Sequence, residues 1–133
     1  MFNYIHHAHY VVSNLDEALA YWEKHFGMRP EKVLARDGGQ GKEAHFHVGQ
    51  TLIRMEQPGS AQTPHGKFLK KNGPGLHHIA FGVDDVPETV QKFRANGTIP
   101  TDNEGVHASS HVYHTINFNG LGMDFQLADK HDF

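Results

Sequence analysis

Apolar residues recur at helical spacing twice along the chain, each time after a strand-like run and before a glycine. In residues 6–27, HHAHYVVSNLDEALAYWEKHFG, the stripe is Leu15, Leu19, Trp22 and Phe26. In residues 77–97, HHIAFGVDDVPETVQKFRANG, it is Val86, Val90 and Phe93. Asn14 with Glu17, and Asp85 with Glu88, stand at capping-box spacing, Asn or Asp replacing the usual Ser or Thr. Pro87 falls in a first helical turn, where its missing N–H costs nothing. Gly27 and Gly97 stop the helices where a left-handed backbone is favoured. An offset of 71 residues carries His6 onto His77, His7 onto His78, Leu15 onto Val86, Glu17 onto Glu88 and Trp22 onto Phe93. One supersecondary unit therefore occurs twice.

Period-two alternation follows each helix. EAHFHVGQTLIRMEQ (43–57) predicts a hairpin turning at Gly49 and Gln50, and HVYHTINFNGLGMDFQLA (111–128) a second around 119–122. The stretch 57–75 is rich in Gly and Pro and reads as a connection, with KFLKK as a short helical turn within it. The expected architecture is α+β: two βαβββ modules forming a cupped antiparallel sheet with helices outside. They make a single domain, with modules at about 1–58 and 74–133 and a linker at 59–73.

Alternation also sorts the faces. In the first hairpin Ala44, Phe46, Val48, Ile53 and Met55 share the side that can cover a helix. Glu43, His45, His47, Arg54 and Glu56 share the other, which cannot be buried dry without a large desolvation cost. In the first strand Ile5, His7, His9 and Val11 oppose His6, Ala8, Tyr10 and Val12. His78 with Ala80 and Gly82 opposes His77, Ile79 and Phe81, which turn toward the helix side. Asp124 and Gln126 oppose Met123, Phe125 and Leu127. A polar solvent side is ordinary for an antiparallel sheet. Here the polar residues are ligands and acid–base groups, which favours a functional cleft.

Composition narrows the field. A chain of 133 residues can bury one real core. The lack of cysteine excludes disulfides and thiolate chemistry and suits a reducing cytoplasm, where the protein is expected. No signal-like start and no apolar run of bilayer length are present, so no membrane is expected. A net charge of −3 with scattered basic residues argues against nucleic acid. Histidine is the outlier at 13 residues, without a run of six.

Three stretches carry a resemblance. KFLKKNGPGLHHIAFGVDDV (67–86) is similar to methylmalonyl-CoA epimerase-like proteins almost residue for residue. VGQTLIRMEQP (48–58) resembles V-G-N-T-x-I-E-L-L-x-P, and NGLGMDFQL (119–127) resembles D-P-x-G-x-x-I-E-L. The family is the vicinal oxygen chelate superfamily of glyoxalases, epimerases, extradiol dioxygenases and bleomycin-resistance-type proteins. The resemblance implies two modules cupped around a divalent metal (Zn, Ni, Co, Mn or Fe), with one ligand from each of four strands. The metal would hold two substrate oxygens and stabilise an enolate while a side chain moves a proton. The ligand positions fall on His7, Arg54, His78 and Gln126.

Arg54 cannot coordinate a cation, and Gln126 ligates without bringing charge. Glu56 or His45 replaces the missing ligand, or Arg54 binds a substrate oxygen in a metal-free cleft alongside Asp124, or Arg54 pairs with Glu43, Glu56 or Asp124. Glu43 and His45, with His47 beside them, are the acid–base candidates. The reading is a glyoxalase- or epimerase-like enzyme acting on a small carbonyl or acyl-thioester compound. The alternative is a non-catalytic small-molecule binder with a degenerate metal site. Ring cleavage lacks support, because the tyrosine it needs is replaced by Ile116 and the cluster His107, His111 and His114 reads as a solvated loop. The family also implies a homodimer.

Overall fold

A computed structural model describes residues 1–97, 105–106, 112–118 and 123–129, with side chains described for 1–97 and 125–129. Two compact units divide the chain: Ala8–His77, and Met1–His7 with His78–Phe133. The first strand, β1 (Tyr4–Val11), contributes to both.

In the unit Ala8–His77, β1 is followed by α1 (Leu15–Phe26), β2 (Lys32–Arg36), β3 (Gly41–Val48), β4 (Thr51–Gln57) and α2 (Pro64–Asn72). Hydrogen-bonded neighbours run β2-β3-β4-β1. The β3–β4 hairpin has the register expected from its two-residue turn, pairing Val48 with Thr51, His45 with Arg54 and Glu43 with Glu56. The Asn14 side chain caps α1 by accepting from the Glu17 amide at 3.0 Å, and Gly27 ends the helix at φ 67°. A second anchor comes from the end of β4, where Gln57 Oε1 accepts from the Leu15 amide at 2.9 Å. Leu15, Ala44, Phe46 and Met55 form the core here, with Leu19, Trp22 and Ile53 packed against them.

Two residues expected in this core lie outside it. Val48 is 54% exposed because it sits at the hairpin tip, and Phe26 is 57% exposed because it is the last helical residue. The stretch expected as a linker contains the nine-residue helix α2. Thr63 is its N-cap, with Oγ1 accepting from the Gly66 amide at 3.0 Å, and Pro64 opens its first turn. The Thr-Pro pair was the start signal, obscured by the glycines around it.

The other unit takes the His78–Gly82 part of β5 (Gly75–Gly82), then α3 (Val86–Ala95), β6 (Gly105–Val106), β7 (Val112–Phe118) and β8 (Met123–Ala128). Its order is β1-β5-β8-β7-β6. β7 and β8 are antiparallel, with Phe118 opposite Met123; the turn expected around 119–122 lies outside the described residues. β5 and β8 are parallel, with Ala80 opposite Gln126, so the sheet is mixed rather than wholly antiparallel. The anchoring of α1 recurs: the Asp85 side chain accepts from the Glu88 amide at 2.8 Å, and Asp129 Oδ2 from the Val86 amide at 3.0 Å. Val83, Val86, Val90, Phe93, Phe125 and Leu127 form the core. The Phe2 ring stacks on Phe81 at 4.4 Å. The fold is α+β, with two βαβββ modules.

Replacing a helical glycine by alanine ordinarily stabilises by about 0.5–1 kcal/mol. A Cβ on Gly66 would lie 1.8 Å from the Ser60 carbonyl oxygen. Gly66→Ala is therefore expected to cost about 1–3 kcal/mol in urea unfolding. A gain in stability would show that the Ser60 turn yields without cost.

Candidate metal and proton-transfer residues

Strand alternation sends adjacent residues to opposite faces, yet the rings of His6 and His7 meet. Their Nδ1 atoms are 2.8 Å apart, and His7 Nε2 is 3.2 Å from His78 Nε2. His6 and His7 are both fully buried. Their side chains leave the strand in opposite directions, yet the rings are joined by a hydrogen bond in which one Nδ1 donates and the other accepts. When His7 carries its proton on Nδ1 and donates to His6, its Nε2 lone pair is turned toward His78.

Metal–nitrogen distances of about 2.0–2.1 Å in a tetrahedral site put neighbouring ligand atoms about 3.3 Å apart. The His7–His78 spacing therefore suits two imidazoles sharing one cation. Gln126 lies on β8 beside Ala80 and is half-buried; two imidazoles and an amide oxygen are a donor set without charge. Such a set suits a borderline divalent ion. Residues expected as ligands from copies of one repeat, His7 and His78, are thus brought together.

The unit Ala8–His77 holds a charged cluster instead. Glu43 and Glu56 are direct partners across the β3–β4 hairpin, and both are buried, at 0% and 1% exposed. Glu43 Oε2 accepts from Arg54 Nε at 3.0 Å, Arg54 Nη2 at 2.9 Å and His45 Nε2 at 2.5 Å. Its Oε1 accepts from Arg36 Nη1 at 2.8 Å. Burial pushes the Glu43 carboxyl up, but the His45 hydrogen bond and the Arg54 and Arg36 charges outweigh it and hold the pKa at about 2. Arg54 is therefore the ion-pair partner of Glu43, one of the three arrangements its sequence position allows.

A carboxylate with so low a pKa is a poor proton acceptor at neutral pH. His45 offers an imidazole lone pair instead. It is 5% exposed, its Nε2–H donates to Glu43, and its buried Nδ1 has no hydrogen-bond partner. The carboxylate fixes the tautomer, and the lone pair on Nδ1 is left available. His47 lies nearer the surface and bonds Glu31 at 2.6 Å.

Glu56 belongs to a third group. Its Oε1 accepts from His65 Nδ1 at 2.6 Å and from His9 Nε2 at 2.9 Å. Burial raises the Glu56 pKa, yet these two bonds prevail and hold it well below the usual carboxylate range. His9, Glu56 and His65 offer ligand atoms that all lie within 4.8 Å of one another, so this cluster can hold a metal ion. His77 packs on His65 with ring centroids 4.5 Å apart, and burial followed by the His65 and His9 charges pushes its pKa down to about 4.

The Asp124 side chain, His107, His111 and the His114 side chain lie outside the described residues. Arg36 and His65 are the participants that sequence reasoning missed. The available signal for His65 was its place just after the Thr63-Pro64 helix start; Arg36 had none, since only the β2–β3 pairing brings it inward.

Acid should unfold the protein in two stages. His77 shifts from 6.5 to about 4, so the unfolded chain takes up a proton there first and stability declines between those values. Glu43 shifts from 4.5 to about 2, so its contribution is complete above 4.5 and is lost as pH falls toward 2. That contribution is about 3 kcal/mol. Urea midpoints measured against pH should show both stages, and His77→Gln should flatten the upper one; a wild-type midpoint constant between pH 6.5 and 4.5 would contradict the assignment.

Comparison with known proteins agrees with this architecture. The family model described as the glyoxalase/bleomycin resistance protein/dioxygenase superfamily matches residues 6–118. The Bacillus subtilis protein YqjC, described as uncharacterised, is 28% identical over 89 residues, covering 67% of this chain and 64% of its own length. The mitochondrial methylmalonyl-CoA epimerase of Dictyostelium discoideum is 25% identical over 127 residues, covering 92% of this chain and 76% of its own. Among solved structures, methylmalonyl-CoA epimerase from Mycobacterium tuberculosis superposes with a TM-score of 0.81 at 22% identity, covering 96% of this chain and 88% of its own. A Streptomyces coelicolor methylmalonyl-CoA epimerase in complex with 2-nitronate-propionyl-CoA gives 0.82 at 21%, covering 98% and 99%. The matched span and the paired βαβββ modules place the chain in the glyoxalase/bleomycin resistance protein/dioxygenase superfamily.

Proposed function

We propose that the protein is a glyoxalase- or epimerase-like enzyme that moves a proton on the carbon next to a carbonyl or acyl-thioester group. The observation that carries this reading is His45, a buried imidazole tied to Glu43 through Nε2 and bare at Nδ1. His45 Nδ1 takes the α-proton, and the imidazolium that forms is stabilised by the ionised Glu43 beside it. The proton then returns to carbon or exchanges with solvent. Arg36 and Arg54 act as positioning residues, keeping Glu43 charged so that it cannot itself take up the proton.

His7 and His78, with the Gln126 oxygen, would hold a divalent ion, and a His7 tautomer that donates from Nδ1 to His6 would turn its Nε2 lone pair toward that ion. When bound, that ion supplies polarisation of the substrate's carbonyl oxygen. An acyl-thioester substrate is favoured because related epimerase structures are in complex with acyl-CoA compounds, methylmalonyl-CoA among them. The binder reading relied on Arg54 as a cation for an anionic ligand; the Glu43 ion pair occupies that cation and weakens it.

The test is α-proton exchange from methylmalonyl-CoA in deuterated water, followed by mass spectrometry, with protein reconstituted in turn with Zn, Ni, Co, Mn and Fe. Wild type is expected to exchange, and His45→Gln to be slower by about 10²–10⁴-fold with its fold and metal content intact. His7→Ala and His78→Ala should lose bound metal by elemental analysis. Absence of exchange with every metal, or exchange undiminished in His45→Gln, would overturn the reading.

A further inference from the structure

The group His9, Glu56 and His65 lies wholly within the unit Ala8–His77 and does not depend on the reading above. Its donors come from three elements: the middle of β1, the end of β4 and the first turn of α2. His9 and Glu56 are 2% and 1% exposed, and the His9 and His65 rings lie 4.6 Å apart between centroids. Both imidazoles aim a ring nitrogen at the same carboxylate oxygen, His9 through Nε2 and His65 through Nδ1.

We propose that His9, Glu56 and His65 form a site of their own ligand set for a late first-row divalent cation such as Zn²⁺ or Co²⁺. Two imidazoles and one carboxylate are a donor set that these ions accept, with one carboxylate charge against the ion's two. Three protein ligands leave one position for water. Binding requires His9 to carry its proton on Nδ1 and His65 on Nε2, so that the nitrogens now donating to Glu56 present lone pairs instead. Arg36 Nη2 is 3.7 Å from Glu56 Oε1 and opposes the cation, but its closer bond is to Glu43, at 2.8 Å.

The experiment uses the full chain, stripped with a chelator and titrated with Co²⁺ alone, read by elemental analysis and by the visible absorption of the bound ion. One equivalent is expected to disappear in His65→Gln and in Glu56→Gln, and to persist in His7→Ala. His65 is partly exposed at a helix start, so its variant should fold; circular dichroism checks this, and a misfolded His65→Gln is replaced by His65→Asn. If His65→Gln and Glu56→Gln both keep the wild-type Co²⁺ stoichiometry and spectrum, the proposal falls, and the group is a hydrogen-bonded network only. Loss in His7→Ala with retention in His65→Gln would overturn this site while leaving the His7–His78 pair standing.

Discussion

Two carboxylates face each other directly across a buried hairpin, and the unit Ala8–His77 is arranged around that fact. Like charges at paired positions repel, and each ion loses several kcal/mol of hydration on burial unless partners replace it. Glu43 and Glu56 are therefore surrounded by donors drawn from every neighbouring element. Arg54 comes from the hairpin itself, Arg36 from β2, His9 from β1 and His65 from α2. Deleting one such partner from a buried pair typically costs about 3–5 kcal/mol, so position and charge constrain each other here more tightly than packing does. The strand β2 is mostly exposed and adds nothing to the apolar core, but it supplies the guanidinium that reaches both carboxylates.

The repeat offers a contrast. Positions related by the 71-residue offset carry the same residue pair, His6-His7 and His77-His78, but not the same surroundings. His6 hydrogen-bonds its own neighbour, whereas His77 packs against His65 and Phe68 of α2. The helix anchors stayed alike: a strand-end side chain receives the first helical amide in both copies, Gln57 in one and Asp129 in the other. Duplication preserved the mechanical joints and let the chemistry diverge.

What could be read from the sequence follows the range of the interactions. The caps at Asn14 and Asp85, the Gly27 stop and the 43–57 register depend on residues a few positions apart, and all were legible. The convergence of His7 and His78 was legible because the repeat doubles the signal. α2 was hidden because Gly66 lowers helical propensity at the very position where only glycine clears the Ser60 carbonyl. The contact between His6 and His7 defied alternation, which describes where side chains leave the backbone rather than where their tips end. The ionisation of Glu43 needed Arg36, whose approach is set by a pairing between β2 and β3 that no local pattern announces. Arg54 was legible only as a misfit; its partner had to be seen.

The division of β1 between the two units bears on how the chain is made. Ala8–His77 is contiguous, so its internal contacts need no residue beyond it. Met1–His7 belongs with residues beyond 77. At a synthesis rate of about 5–20 residues per second, His7 waits several seconds for His78. Until then Met1–His7 lacks the unit it belongs to, and strand residues without their sheet are of the kind that invites pairing with another copy. Residues Met1–His7 thus find the rest of their unit only in chain that follows His77.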